Sequence, residues 1–143
     1  MRVVLDTDAM VAAIRSDRGA SRRLLEAVLR GAGVTLLVSV PLLIEYEAVM
    51  TRTEHLRIAG LTAGEVGRLL DAVAAIAEPV TLVFLWRPLL PDADDDMVLE
   101  TAVNGRAEAI VTFNRRDFVP AAGRFGLAVL SPGEALRRLE EEK

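Results

Sequence analysis

Short apolar runs alternate with longer stretches of helical period along almost the whole chain, and no other feature limits the possible folds so strongly. Residues 2 to 6, RVVLD, are a brief β-branched run, followed by a helical pattern from about 8 to 15. Residues 20 to 30, ASRRLLEAVLR, place Leu24, Leu25, Val28 and Leu29 on one face, with Ser21 a possible cap and Gly31 and Gly33 as stops. A second strand is expected at 34 to 39, VTLLVS. Pro41 then suits the first turn of a helix carrying Leu42, Leu43, Glu45, Tyr46 and Val49. Thr62 to Ala77 predicts another amphipathic helix, with Leu69, Leu70, Val73 and Ile76 inward.

Beyond it, Val80 to Phe84 predicts a third strand, leading into a proline-flanked loop at Arg87 to Pro91. Asp94 or Asp95 is expected to cap a helix with Met97, Val98, Thr101, Ala102 and Val103 as its apolar positions, ended by Gly105. A strand at 109 to 112, a short turn NRRDF, a last strand at 127 to 130 and a closing helix from about Pro132 complete the series. Short continuous apolar strands between helices indicate an α/β sandwich with a mainly parallel sheet. With 143 residues, 52% of them hydrophobic, one domain over 1–143 with one core is expected. No apolar stretch approaches the ~20 residues that span a bilayer, and no signal-peptide pattern opens the chain, so a soluble, cytoplasmic protein is expected.

The absence of cysteine excludes disulfides, thiolate zinc sites and cysteine nucleophiles, and His55 alone cannot build a histidine cluster. Any metal site must use carboxylates. The net charge of −4 argues against a strongly basic nucleic-acid footprint, yet the acids are unevenly spread, with four inside residues 92 to 96. In an open parallel sheet the ligand crevice lies beyond the carboxyl ends of the strands. Asp6 closes the first strand, while Thr112, Asn114 and Asp117 follow the strand at 109 to 112. Glu45 lies early in one helix and Asp96 at the start of another, so four distant acids are expected to converge. Crowded carboxylates repel one another and are usually reconciled by a hard cation with oxygen ligands. Mg²⁺ or Mn²⁺ suits such a cluster, and phosphodiester hydrolysis is the chemistry it implies.

The segments VVLDTDAMV, SVPLLIEYEAVM, PDADDDMVLETAVNGRAEAIVTFNRRDF and VLSPGEALRRL, in that order, resemble the PIN domains, most closely the prokaryotic VapC-like group regarded as toxins of toxin-antitoxin pairs. The resemblance covers most of the chain. It implies a three-layer α/β/α sandwich with a five-stranded sheet, a metal-dependent ribonuclease, a small antitoxin partner and a homodimer. By motif position it implies Asp6, Glu45, Asp96 and Asp117 as the catalytic acids, with Asp6, Asp96 and Asp117 on Mg²⁺ or Mn²⁺. Thr7 and Thr112 match positions where the family keeps a hydroxyl, and Asn114 one where it carries Asn or Asp. Asp96 is preferred over Asp95 because it lies sixteen positions before Thr112, which leaves Asp92 and Asp94 as loop and capping residues. The family usually reads DTN at the first strand, and Asp8 stands here in place of that Asn; the added charge either tightens cation binding or holds the ion in the wrong geometry.

Each feature also has an ordinary meaning. Asp6 alone could start a turn, Glu45 could pair with Arg52, and Asp117 could be a cap. His55 reads as a surface residue in a loop, TRTEHLRIAG, and Trp86 as a core or interface aromatic. Arg15, Arg18, Arg22, Arg23, Arg115 and Arg116 are candidates for phosphate contacts, though for any one of them a solvated helix face is the ordinary meaning. Two rival functions follow. A strand ending in Asp-x-Asp resembles the nucleophile motif of haloacid-dehalogenase-type phosphatases, but Met10 stands where Thr or Val is expected and the only lysine is Lys143. A PIN-like fold kept as a non-catalytic RNA- or antitoxin-binding module is the other.

Overall fold

Five parallel strands form one sheet in the order β3-β2-β1-β4-β5 in the computed structural model, which describes residues 1–83 and 93–142, with the backbone alone at Ala93 and Asp94. The chain runs β1 (Arg2–Leu5), α1 (Thr7–Arg15), α2 (Ala20–Arg30), β2 (Thr35–Val38), α3 (Val40–Met50), α4 (Thr53–Ala59), α5 (Ala63–Ile76) and β3 (Glu78–Pro79). It continues through α6 (Ala93–Asn104), β4 (Ala109–Val111), α7 (Arg115–Ala122), β5 (Ala128–Leu130) and α8 (Pro132–Glu141).

The strand order dictates the layers. From β1 the chain steps to β2 and then β3 in one direction, and right-handed crossovers put α1 to α5 on one face. The steps from β3 to β4 and from β4 to β5 run the other way, so α6 and α7 cover the opposite face. The direction reverses between β1 and β4, which makes the end of that strand pair the topological switch point where such sheets bind ligands. Register fixes what meets there. Val3, Val4 and Leu5 lie beside Ala109, Ile110 and Val111, and the Asp6 amide donates to the Val111 carbonyl at 2.8 Å, so Asp6 and Thr112 emerge side by side.

The central strands are fully covered. Val3, Val4, Leu5, Leu36, Leu37, Ile110 and Val111 are all at most 2% exposed, which explains why they read as continuous apolar runs rather than alternating ones. Helix ends follow local chemistry. Ser39, Thr62 and Ser131 cap α3, α5 and α8, the last two with the reciprocal glutamate of a capping box. Gly105 ends the helix before β4 as expected, in a place where a Cβ would lie 2.8 Å from Val80 Cγ2 and 2.9 Å from the Thr101 carbonyl oxygen. Among the described residues no helix is long and apolar enough to cross a membrane.

Several elements differ from the sequence expectation. The third strand lies at Glu78–Pro79 rather than 80 to 84; Val80 to Val83 are not strand, and Phe84 lies outside the described residues, as do Trp86, the loop at 87 to 91 and Asp92. An isolated edge pairing needs only two residues, too few for any periodicity. TRTEHLRIAG contains the helix α4, closed by Gly60 at φ +70°, where a loop was expected. NRRDF opens the helix α7 instead of forming a turn only. Asp94 and Asp95 lie inside the first turn of α6, which begins at Ala93, and so do not cap it. Ile76 is 47% exposed at the end of α5, while Val66, Leu70 and Val73 form the buried stripe.

Candidate active site

A cleft of about 310 Å³ opens at the switch point, lined by Asp6, Thr7, Asp8 and Val11 from α1 and its cap, and by Glu45, Val49, Arg52 and His55 from α3 and α4; Asp95 of α6 and Asn114 complete it. Four carboxylates from three separate segments therefore face one space.

Asp6 is 5% exposed and caps α1: its Oδ1 accepts the Thr7 amide at 2.8 Å, and its Oδ2 accepts the Thr112 hydroxyl at 2.7 Å. The Thr112 oxygen in turn accepts the Asn114 amide at 2.9 Å, which aims the hydroxyl proton at Asp6. Asp8 stands in the first turn of α1 and accepts from the Phe113 amide at 3.1 Å and from Asn114 Nδ2 at 3.2 Å, so it ties the β1 end to the loop after β4. Burial, and then the neighbouring charge of Asp6, push the Asp8 carboxyl up to about 6, against bonds that favour its ionised form. Beneath Asp6, the buried Tyr46 hydroxyl donates to the Leu5 carbonyl; burial and the Asp6 charge hold its phenol well above the usual range, so it remains a proton donor. Ser39 and Thr101, both buried, join α3 to α6 through a 2.7 Å hydrogen bond. That bond fixes the two helices that bring Glu45 and Asp95 to the cleft.

The expected site residues divide clearly. Asp6, Glu45, Thr7, Asp8, Asp95 and Asn114 line the cleft, and Thr112 holds Asp6 from below. Asp96 does not line it. A helix advances about 100° per residue, and with Asp95 facing the cleft its neighbour turns inward, 2% exposed. Asp117 sits exposed in the first turn of α7 and is likewise not part of the lining. His55 is a half-buried cleft residue rather than a distant surface one, and Val49 and Arg52 accompany it. Glu45 and Val49 lie one turn apart on α3, but Arg52 is the extended N-cap of α4, so no single helical period marks this wall in the sequence. Of the arginines considered for phosphate contact, Arg23 pairs with Glu140, Arg115 with Glu134, and Arg22 binds the Ala13 carbonyl.

Among the described residues no three Asp, Glu or His side chains are close enough to enclose a metal ion unaided. The donor chemistry nonetheless fits Mg²⁺, which takes one or two carboxylates and retains several waters. The crowding that raises the Asp8 pKa is the condition that such a cation relieves.

Residues 2–116 match the family described as PIN domain, and the chain belongs to that family. No curated protein matches it by sequence. Among solved structures it is similar to a chain in the crystal structure of VapBC2 from Rickettsia felis bound to a DNA fragment from their promoter. The TM-score is 0.61 at 17% identity, over 92% of this chain and 98% of that one. That likeness establishes a shared fold with an all-parallel five-stranded sheet.

Proposed function

We propose that the protein is a divalent-metal-dependent ribonuclease that hydrolyses RNA phosphodiester bonds. The observation that carries this reading is the gathering of Asp6, Asp8, Glu45 and Asp95 in one cleft at the switch point. In it Asp6 and Asp95 would hold Mg²⁺ or Mn²⁺ between α1 and α6. The bound cation would supply charge neutralisation for an attacked phosphate and a more acidic water. The protein's own groups do the rest. Thr112 and the Thr7 amide hold Asp6 in one orientation, and Glu45, across the cleft, is placed to take a proton from the attacking water. Asn114 offers an amide at the rim while bonded to Asp8.

PIN membership and the likeness to VapBC2 support the toxin of a toxin-antitoxin pair, acting in the cytoplasm as a homodimer and restrained by a small antitoxin. The test is cleavage of single-stranded RNA with Mg²⁺ or Mn²⁺, abolished by EDTA and by Asp6→Asn. Cleavage that persists in EDTA would overturn it. A second reading, a module that binds RNA or antitoxin without cutting, is favoured by Asp8, whose carboxylate crowds Asp6 where the family usually carries Asn. Mn²⁺ binding and RNA binding without turnover would support that alternative.

A further inference from the structure

The cleft changes sign along its length. Asp6 and Asp8 stand at the start of α1, Asp95 in the first turn of α6 and Glu45 in the middle of α3, whereas Arg52 and His55 come from beyond the C-terminal end of α3 and from α4. From Glu45 to the end of α3 is roughly 7.5 Å at 1.5 Å per residue, about two stacked nucleotides at 3.4 Å each. A polyanionic strand entering an acid-rich cleft needs a favourable contact away from the acids. Arg52 is exposed and has no ion-pair partner among the described residues, unlike Arg2, Arg22, Arg23 and Arg115.

His55 is prepared differently. Arg15 Nη1 stands 3.3 Å from His55 Nδ1, and because a guanidinium has no acceptor, Nδ1 must accept and the ring proton must reside on Nε2. Arg15, at the end of α1, thus orients the His55 ring on the cleft wall with Nε2 as its N–H donor. The short helix α4 that carries it is seated through the half-buried Leu56 and Ala59 and stopped by Gly60.

We propose that Arg52 and His55 form a subsite for an RNA backbone phosphate about two nucleotides from the cleaved bond, with Arg15 as the positioning residue for His55. This inference rests on the ribonuclease reading. It assigns the α3–α4 wall to substrate placement, not to the bond-breaking step. Arg52 would contribute charge and His55 a directed hydrogen bond from Nε2, so their loss should differ in salt dependence.

The experiment is steady-state cleavage of a fluorescent single-stranded RNA in Mg²⁺ at several salt concentrations by the wild type and by Arg52→Gln, His55→Ala and His55→Gln. Arg52→Gln should raise KM about tenfold with kcat unchanged, and lower the slope of log(kcat/KM) against log salt by about 0.7, the value for one phosphate contact on a single strand. His55→Ala should raise KM about fivefold, equivalent to one hydrogen bond of about 1 kcal/mol, without changing the slope. His55→Gln, which keeps an amide donor, should recover most of that loss. An unchanged KM and slope in Arg52→Gln, with wild-type cleavage intact, would overturn the subsite and leave the nuclease reading standing. A wild type that neither binds nor cuts RNA would overturn both.

Discussion

At the β1–β4 end of the cleft the functional atoms are fixed by backbone, whereas on the α3–α4 wall they are carried by side chains on helices. Asp6 is held by the Thr7 amide, the Thr112 hydroxyl and the strand register that sets both in place. Asp8 is held by the Phe113 amide and by Asn114. Glu45 and Arg52 instead reach the cleft from α3 and its end, and among the described residues His55 is held by a 3.3 Å contact from Arg15. The difference assigns precision to the acid end, where a 1 Å error is most damaging, and tolerance to the wall that would receive a flexible strand.

The sharpest way to break this contrast is Asp6→Asn. Asparagine can still cap α1 through its one amide oxygen, and its Nδ2 can donate to the Thr112 hydroxyl oxygen in place of the bond Asp6 accepts, so the fold should survive with a melting temperature changed by only a few degrees. Cleavage should nevertheless fall by about 10³-fold or more, since several kcal/mol of charge stabilisation are removed. Retention of activity in a folded Asp6→Asn protein, measured by RNA cleavage beside thermal melting, would show that the rigid end is not the reactive one.

Next in size is the choice between adjacent acids. Asp95→Asn should reduce cleavage about 10²-fold with little change in stability, because Asp95 lines the cleft. Asp96→Ala should do the reverse: a buried carboxylate removed from α6 should lower stability by about 1–3 kcal/mol, while kcat changes less than tenfold. If Asp96→Ala abolishes cleavage in a protein that still melts cooperatively, the ion sits deeper than the cleft lining.

That pair also shows where sequence stops being informative. Asp6 and Thr112 could be placed from the chain alone, because each follows a short apolar run whose burial on both faces requires a parallel strand, and parallel strands end on the same edge. Spacing to Thr112 favours Asp96 over Asp95, yet it is Asp95 that lines the cleft, since one residue of helical phase turns a side chain from solvent to core and the phase is set by how α6 packs, not by its own residues. The α7 helix was hidden by Pro120 in its interior, and α4 by having only seven residues, below the length at which periodicity is readable. Arg52 and His55 were visible as residues but not as a wall, because a chain read as a loop there has no face.

A smaller effect should come from Thr112→Val, which keeps shape and removes the hydroxyl. The buried Asp6 Oδ2 loses the Thr112 donor, so stability should drop by about 1.5–3 kcal/mol, and Asp6, held less firmly, should lower cleavage about tenfold or somewhat more. Equal activity in Thr112→Val and wild type, by initial rates, would mean that the Thr112 hydroxyl is not needed to orient the carboxylate.

The smallest and most specific prediction concerns Asp8, the charge that joins the two sides of the switch point. Its carboxyl is pushed up to about 6 from an ordinary 3.8, so between these values the folded protein holds a proton that the unfolded chain releases. Stability without metal should therefore be greatest below about pH 4 as far as this group is concerned, and should decline as pH rises through 6. Partial exposure of Asp8 screens the effect, which limits it to about 1 kcal/mol, or a few degrees of melting temperature. In EDTA, melting curves across pH 4 to 7 should show that decline in the wild type and its loss in Asp8→Asn, whose amide keeps an oxygen for the Phe113 amide. Added Mg²⁺ should flatten the wild-type curve, because a cation in the cleft stabilises the ionised form that burial and Asp6 disfavour. A wild-type slope that Mg²⁺ leaves unchanged would mean that the charge of Asp8 is met by Asn114 and the Phe113 amide alone, and that the cation does not neighbour it.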